Sequence, residues 1–592
     1  MTEIIDPGVL PRSPSAPDEL QPAETSPWLD WGIVVALLIA VAVITGWGLG
    51  RYPSLSGDEG IYTEQAWAVV HGALAPYTYT YDHPFLGWAQ LSAFAWVAQQ
   101  LHVGGQLSVV NARFVMLLLQ LFNAGLIYGI ARRLQMHRVF SVAAVLLFAL
   151  SPLTLTYDRA VFLDNIAVPW LLLTMFLALN PRRNAWAYGL AGTTFAVAVL
   201  SKETALLFAP ALAFLLWQRT VHHVRLVAAT LAATMFSIII MIYPALALLR
   251  RELWPGPGHV SLWGNGIWYQ LASRIGSGSV FRAQDGKNNL FMFWEHTDGV
   301  LLLGGMVACV ALLASTRLRF LSVALLAAAL PIISPGGYLP AMYVIALLPF
   351  AALAIAGVAD QVYALADQRL ARSVGRARWL LPVPYGLVAL AVGVAYAPGV
   401  AVATTSDPVK PYADAGAFMA THLGAADTVL TDDAFFVDLN RQGLSDPWHQ
   451  AVSYYKYDLD PRARLELPGG YGNLTYIIET PQMRSETERV GAATALPYTL
   501  DAIRHSYVLA HFGGGDDTRV EIRRMGVAPA PSALLTPGQV SAAEAQGQLN
   551  ALTRQFGLSV DVAERTRLLA RIEALKAVPG TTMVIPGVTT RD

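Results

Sequence analysis

Asp58 and Glu59 stand side by side in the stretch SGDEGIY, a few residues past the end of an apolar run. A carboxylate placed where a chain leaves a bilayer can take the proton from a hydroxyl as a general base. The same pair also suits the first turn of a helix beginning near Gly60, where acidic groups cap the backbone and oppose the helix dipole. Asp82 and His83 precede Pro84 in YDHPFLGW. A carboxylate beside an imidazole suits a divalent metal or a phosphate, and equally a solvated turn. Asp82 is one candidate metal ligand and His296 a second. Asp158, Arg159 and Asp164 gather at the entrance of one apolar run, and Lys202 and Glu203 separate two others. Charge at a bilayer centre costs about 2.5–3.5 kcal/mol, so these groups should face protein, water or headgroups. For Arg159 and Lys202, binding an anionic ligand competes with snorkelling to the headgroups. Asp458 and Asp460 form an Asp-x-Asp element beside Pro461, readable as a soluble-type donor site or as a turn.

The elements that must hold these groups are set by composition. The chain has 592 residues, 55% hydrophobic and 14% charged, against roughly 25% charged in soluble domains. Lipid must solvate much of it. A net charge of -1 gives no basic field, so nucleic acid is not an expected partner. The single cysteine, Cys309, excludes an intrachain disulfide. Apolar runs near 28–49, 113–131, 139–156, 160–180, 185–200, 203–218, 226–249, 299–315, 320–333, 339–358 and 380–399 predict about eleven spans. The runs at 185–200 and 203–218 are short and suit one interrupted hairpin. Alternate short loops carry Arg132, Arg133 and Arg138, then Arg182 and Arg183, Arg219 and Arg225, Arg317 and Arg319, and Arg369 to Arg378. By the positive-inside rule these loops are cytoplasmic, and everything after about Val400 lies outside.

Residues 1–27, rich in Pro, Ser and acids, predict a disordered cytoplasmic tail. Residues 28–399 form the expected transmembrane domain. Within the first outside loop, GIYTEQAWAVVHG and FLGWAQLSAFAWVAQQL predict helices lying in the membrane interface. The glycine-rich region 250–298 predicts a mobile loop. Residues 400–592 alternate short strands (DTVLT, NLTYIIET, HSYVLAHF) with helix-like stretches such as ADAGAFMATHL, predicting a small extracytoplasmic α/β domain.

Taken in order, these motifs resemble the membrane glycosyltransferases of the GT-C fold that use polyprenyl-phosphate sugars, including protein O-mannosyltransferases and the aminoarabinose transferases of lipid A. In that superfamily an Asp-Glu pair and a Tyr follow the first span, matched by Asp58, Glu59 and Tyr62. An acidic-basic-Pro element is matched by Asp82, His83 and Pro84. Later motifs are matched by Leu163 and Asp164, by Leu200, Ser201, Lys202 and Pro210, and by Tyr343 and Pro349. Ile61, Phe85 and Met342 stand where the aminoarabinose branch commonly has Arg, Pro and Arg, which argues against identity with it.

The resemblance implies a polytopic α-helical protein of the plasma (inner) membrane with its active site outside. The implied reaction moves a sugar from a polyprenyl-phosphate-linked donor to a hydroxyl of a protein, glycan or lipid acceptor, with inversion. Asp58 would be the base, Asp164 and Glu59 would position the site, and Lys202, Arg159 and His83 would hold the donor phosphate. A divalent metal is the one cofactor to consider, and membrane lipid a necessary partner. The alternative is a transporter or flippase of a lipid-linked or anionic substrate, which would carry its charges near the midplane of interrupted spans.

Overall fold

The computed structural model describes residues 27–100, 107–180, 184–220, 222–373, 381–442, 444, 450–489 and 491–526. Residues 1–26 of the expected tail and everything after 526 lie outside them. The apolar runs all fold as helices, as lipid demands of a backbone that must satisfy its own polar groups. They are α1 (Pro27–Gly46), α2 (Gly57–Val70), α3 (Leu86–Gln100), α4 (Ser108–Arg133), α5 (Arg138–Leu150), α6 (Pro152–Tyr157), α7 (Leu163–Ala178), α8 (Ala185–Ser201), α9 (Ala209–Arg219), α10 (His222–Ile240), α11 (Ile242–Leu249), α12 (Gly286–Leu312), α13 (Arg319–Ile333), α14 (Leu348–Ser373), α15 (Pro382–Thr405), α16 (Lys410–His422) and α17 (Asp433–Arg441). Among the described residues six helical stretches are long and apolar enough to cross a bilayer, and four shorter apolar helices accompany them. The doubtful pair of runs is resolved at Lys202. Its extended backbone ends α8, and a 3-10 segment, Glu203–Phe208, leads into α9.

The chain divides into two compact units. The first comprises Met1–Pro53, Tyr79–Gly104 and Asn111–Ser406. Its helices approach closely over small residues, the usual way helices associate when lipid supplies no hydrophobic drive. A Cβ on Gly192 of α8 would lie 2.0 Å from the Ala232 carbonyl of α10. Charged groups mark one end of this bundle. Asp30 of α1 accepts from Arg138 at 2.9 Å and Tyr128 at 2.7 Å, while buried Asp360 of α14 takes His137 at 2.6 Å and Arg317 at 2.5 Å. Arg133 donates to the Phe176 carbonyl near the end of α7, and Arg219 to the Arg317 carbonyl. Arg133, Arg138, Arg219 and Arg317 therefore share an end, and the first turn of α7 and last turn of α8 lie at the other.

At that other end buried Arg159 donates to Ala403 O at 3.0 Å and Ile44 O at 2.7 Å. These carbonyls belong to the last turns of α15 and α1, where helical carbonyls lack helical partners. A cation there also complements both dipoles. Lys287 works similarly, donating to the Pro331 and Ser334 carbonyls at 2.7 and 2.8 Å.

The second unit comprises Ser54–Thr78, Gly105–Val110 and the chain from Asp407. It holds a five-stranded sheet of order β2-β1-β3-β5-β4, with β1 (Val429–Thr431), β2 (Ala451–Ser453), β3 (Tyr476–Glu479), β4 (Ser506–Phe512) and β5 (Val520–Met525). β1 runs parallel to β2 and β3, while β5 is antiparallel to β3 and β4. This is the α/β domain the sequence predicts, with β2 and β5 added.

GIYTEQAWAVVHG, expected at a lipid interface, is instead α2 and is enclosed by protein. Its residues Glu59, Gly60, Tyr62, Thr63, Glu64, Gln65, Ala66 and Ala68 are buried. A Cβ on Gly60 would lie 2.4 Å from the backbone of Asp433 and Ala434, so only glycine lets α2 meet the start of α17. Around it, Tyr77 donates to Ala451 O at 3.0 Å, Thr78 N to Asp460 at 2.9 Å, and Ser108 Oγ to Asp438 at 2.7 Å. α3 keeps Phe94, Trp96 and Val97 exposed, as an interfacial helix would. Region 250–298 contains a π-helical turn, Leu262–Ser273, with Trp263, Trp268 and Leu271 exposed.

Candidate active site

In the helical unit three elements converge on one ionic cluster. α3 can press against the start of α7 and the end of α8 because Gly87 carries no side chain. A Cβ there would stand 2.7 Å from Ser201 O and 2.8 Å from Leu163 Cδ2. Gln90 fastens the contact, donating to Ser201 Oγ at 2.7 Å and accepting from Trp170 Nε1 at 2.7 Å. His83, just before α3, is aimed by its own carbonyl, which accepts from Tyr79 at 2.7 Å and Tyr243 at 3.3 Å.

His83 Nδ1 lies 3.0 Å from Glu203 Oε2, and its Nε2 lies 3.0 Å from Lys202 Nζ. Lysine only donates and a carboxylate only accepts, so Glu203 takes the ring proton on Nδ1, while Lys202 Nζ, also 3.4 Å from Nδ1, lies alongside the ring. Glu203 thereby fixes the imidazole's tautomer and face, a carboxylate-histidine arrangement that aims the other nitrogen. Lys202 is 2% exposed, and His83 occupies one of its three donors, which leaves donors for an incoming anion.

Asp164, in the first turn of α7 and 2% exposed, interacts electrostatically with Lys202, Glu203 and His83. Its Oδ2 has no hydrogen-bond partner among the described residues. Tyr343 donates to Ala328 O at 2.7 Å. The structure thus brings His83, Asp164, Lys202 and Glu203 together, and commits Arg159 to the two helix ends described above. Asp82 accepts from Thr80 at 3.1 Å, and His296 is exposed on α12. Among the described residues no three His, Cys, Asp or Glu side chains assemble as metal ligands, so no step below runs through a metal.

Asp58 and Glu59 belong to the sheet unit, in the first turn of α2. Ser56 caps that helix: its Oγ accepts from Glu59 N at 3.4 Å, and Glu59 Oε1 accepts from Ser56 N at 3.3 Å. This capping box turns Glu59, 0% exposed, back onto the backbone. Asp58 remains partly exposed beside it. The Asp-x-Asp pair is structural. Asp458 accepts from Thr499 Oγ1 at 2.5 Å and Tyr498 N at 2.7 Å, while Asp460 caps the helix Pro461–Glu466. Sequence reasoning missed Gly87, Gln90, Trp170 and Tyr243; of these, the glycine just after His-Pro carried a readable signal of close packing.

Residues 82–247 match the family described as dolichyl-phosphate-mannose-protein mannosyltransferase. The chain superposes on ArnT from Cupriavidus metallidurans bound to undecaprenyl phosphate with a TM-score of 0.52, at 16% identity over 84% of this chain and 98% of that one. The chain has the GT-C glycosyltransferase fold. ArnT in the apo state gives the same TM-score at 17% identity, over 84% and 98% of the two chains. The Archaeoglobus fulgidus oligosaccharyltransferase, in a complex with Zn and sulfate, gives 0.50 at 13% identity over 81% and 72%. No curated protein sequence matches the chain. With this GT-C fold and these apolar helices, the chain is an integral, multi-pass membrane protein. The family match contains His83, Asp164, Lys202 and Glu203, so it covers the whole ionic cluster, and it ends within α11, past Tyr243. Fold and family match both stand with glycosyltransferases, and the transporter reading has neither.

Proposed function

We propose that this protein transfers a sugar from a polyprenyl-phosphate-linked donor to a hydroxyl of a protein, glycan or lipid acceptor, on the extracytoplasmic face of the plasma (inner) membrane. The observation that carries the reading is buried Lys202 held beside the half-buried His83 and Glu203, within the mannosyltransferase-family match and at the end of the bundle opposite the arginine-bearing loops. Lys202 takes the donor phosphate, and His83 orients the ammonium. As the anomeric carbon–oxygen bond breaks, both its electrons leave with the phosphate, and fixed positive charge facing that oxygen lowers the barrier. Asp58 accepts the acceptor's hydroxyl proton while that oxygen bonds to the anomeric carbon from the opposite face, giving inversion. Apolar spans hold the lipid tail. Arginine-bearing loops at a common end support the outward orientation, since such loops stay in the cytoplasm.

Purified protein incubated with a panel of polyprenyl-phosphate sugars should consume one and release polyprenyl phosphate. Asp58→Asn keeps size and capping ability but cannot take the proton, so turnover should fall ~10²–10⁴-fold with donor binding intact. Parental transfer by a folded Asp58→Asn would remove Asp58 from the mechanism.

A further inference from the structure

The sheet unit buries two carboxylates that this mechanism does not use. Glu64, on α2, is 1% exposed, and Asp433, at the start of α17, is 2% exposed. Ser453 Oγ, at the end of β2, lies 2.5 Å from Asp433 Oδ1 and 3.1 Å from Glu64 Oε2. A hydroxyl has one proton and can donate to only one of them, so the other contact closes only if a carboxyl keeps its own. The two acids also contact each other directly. Glu64 Oε1 has no hydrogen-bond partner among the described residues. The arrangement therefore holds at least one proton on the pair, and full ionisation would set two like charges against each other away from water.

We propose that Glu64 and Asp433 are a positioning pair: sharing a proton across Ser453, they seat α2 on the sheet and so set Asp58, less than two turns before Glu64, and they release that seat as the pair ionises. This rests on Asp58 being the base. Gly60 supports it, because it lies one turn before Glu64 on the same helical face and meets the backbone of Asp433 itself. Trp67, one turn further, packs edge-on against Phe436 of α17 at 5.8 Å.

The charged and titratable groups facing the pair are few. Lys456, after β2, attracts Glu64. Asp432, after β1, repels both acids and is itself held by Thr480 at 2.7 Å. Glu486 and Tyr454 lie beyond Asp432. Burial dominates, pushing the Glu64 carboxyl up to about 7 and Asp433 well above the usual carboxylate range. The sign follows from linkage. A seated α2 keeps a proton that a released one gives up once the pH passes the ordinary carboxyl range, so seating is full in acid and weakens as pH rises through 7.

Hydrogen exchange at the 57–70 amides of the purified full-length protein, corrected for intrinsic exchange, reads the seat directly between pH 5 and 8. Parental protection should fall by up to ~10-fold per pH unit, and the double variant Glu64→Gln/Asp433→Asn, which has no carboxyl proton to lose, should stay flat. Glu64→Gln and Asp433→Asn alone, each relieved of the repulsion but still burying one acid, should show a shallower slope than the parent and serve if the double variant does not fold. A parent with no slope, or variants that keep it, would overturn the proposal. Transfer measured on the same samples should lose kcat in step with protection in the parent and hold to higher pH in Glu64→Gln. Protection that follows the pair while the kcat profiles coincide would refute the positioning of Asp58. Asp58→Asn separates the two readings. Lost transfer with parental protection upholds both, whereas parental transfer sinks the base assignment and with it the positioning claim, while the exchange slope still judges the seating of α2.

Discussion

Replacing Lys202 by Met removes the ammonium but keeps most of its aliphatic stem, so it isolates charge from packing. In the parent, Lys202 Nζ stands 3.0 Å from His83 Nε2 with Glu203 and Asp164 in electrostatic reach. Without it, two carboxylates would face the donor phosphate with no buried cation between them. Loss of one partner from a desolvated charge pair costs ~2–5 kcal/mol, or roughly 30-fold to several thousand-fold in kcat/KM for the donor at 1.36 kcal/mol per decade. The two leftover acids place the expected loss in the upper half of that range. A lysine that merely steadied His83 would behave differently. Its removal would cost one hydrogen bond, about 1 kcal/mol of stability, and leave the folded fraction as active as before. Donor hydrolysis without acceptor, measured on detergent-purified protein beside its thermal midpoint, separates the two. Glu203→Gln, which still accepts from Nδ1, should lose less than Lys202→Met. A folded Lys202→Met with parental kcat/KM, and only a lowered melting temperature, would refute the assignment.

Arg159→Gln should act in the opposite way. It surrenders two charge-assisted bonds to the ends of α1 and α15, so the thermal midpoint should drop by the equivalent of ~2–4 kcal/mol while kcat of the surviving protein stays near parental; a stable, inactive variant would return Arg159 to the donor phosphate. For topology, cysteine at Ser485 should react with a membrane-impermeant thiol reagent in intact cells and cysteine at Gln368 should not, against a low background because native Cys309 is buried. The reverse pattern would move the ionic cluster to the cytoplasmic face.

Helix positions were legible because an apolar run in lipid must satisfy its own backbone, and α7, α8 and α15 fall on the runs expected. Lys202 and Glu203 were legible as a pair, since charges between two apolar runs must have a reason. Their convergence on His83 was not, because it depends on Gly87 letting α3 approach residues more than a hundred positions later. Arg159 was weighed as a phosphate ligand or a snorkel, and the structure supplies a third use, as a cap for two helices distant in sequence. β5 was hidden by its charges: Glu521 and Arg523 read as a solvated surface, yet they are buried because Glu479, on the neighbouring strand, pairs with Arg523 at 3.1 Å. The placement of α2 depends on partners near 433 and 453, which no local pattern could reveal.

Where the cluster sits along the bundle bears on what kind of protein this is. A transporter has to present its ligand to both sides in turn, so its charged groups belong near the midplane, between halves that rock about it. Here Lys202 follows the last turn of α8, Asp164 lies in the first turn of α7, and His83 just precedes α3. Asp164 and Lys202 mark the ends of α7 and α8 whose opposite ends adjoin arginine-bearing loops, and His83 meets them from the residues before α3. Under the proposed function such a site serves one side of the membrane. It suits a reaction whose donor is delivered by the lipid phase and whose acceptor arrives from water, because the phosphate of a membrane-anchored donor is carried at the depth where helices end. Burial of Lys202 then has a purpose that exposure would defeat: a phosphate meeting an ammonium already stripped of water gains more from it than one meeting a hydrated surface lysine. A cation at that depth is costly to keep without an acid nearby, and Glu203 and Asp164 supply the compensation until the donor arrives.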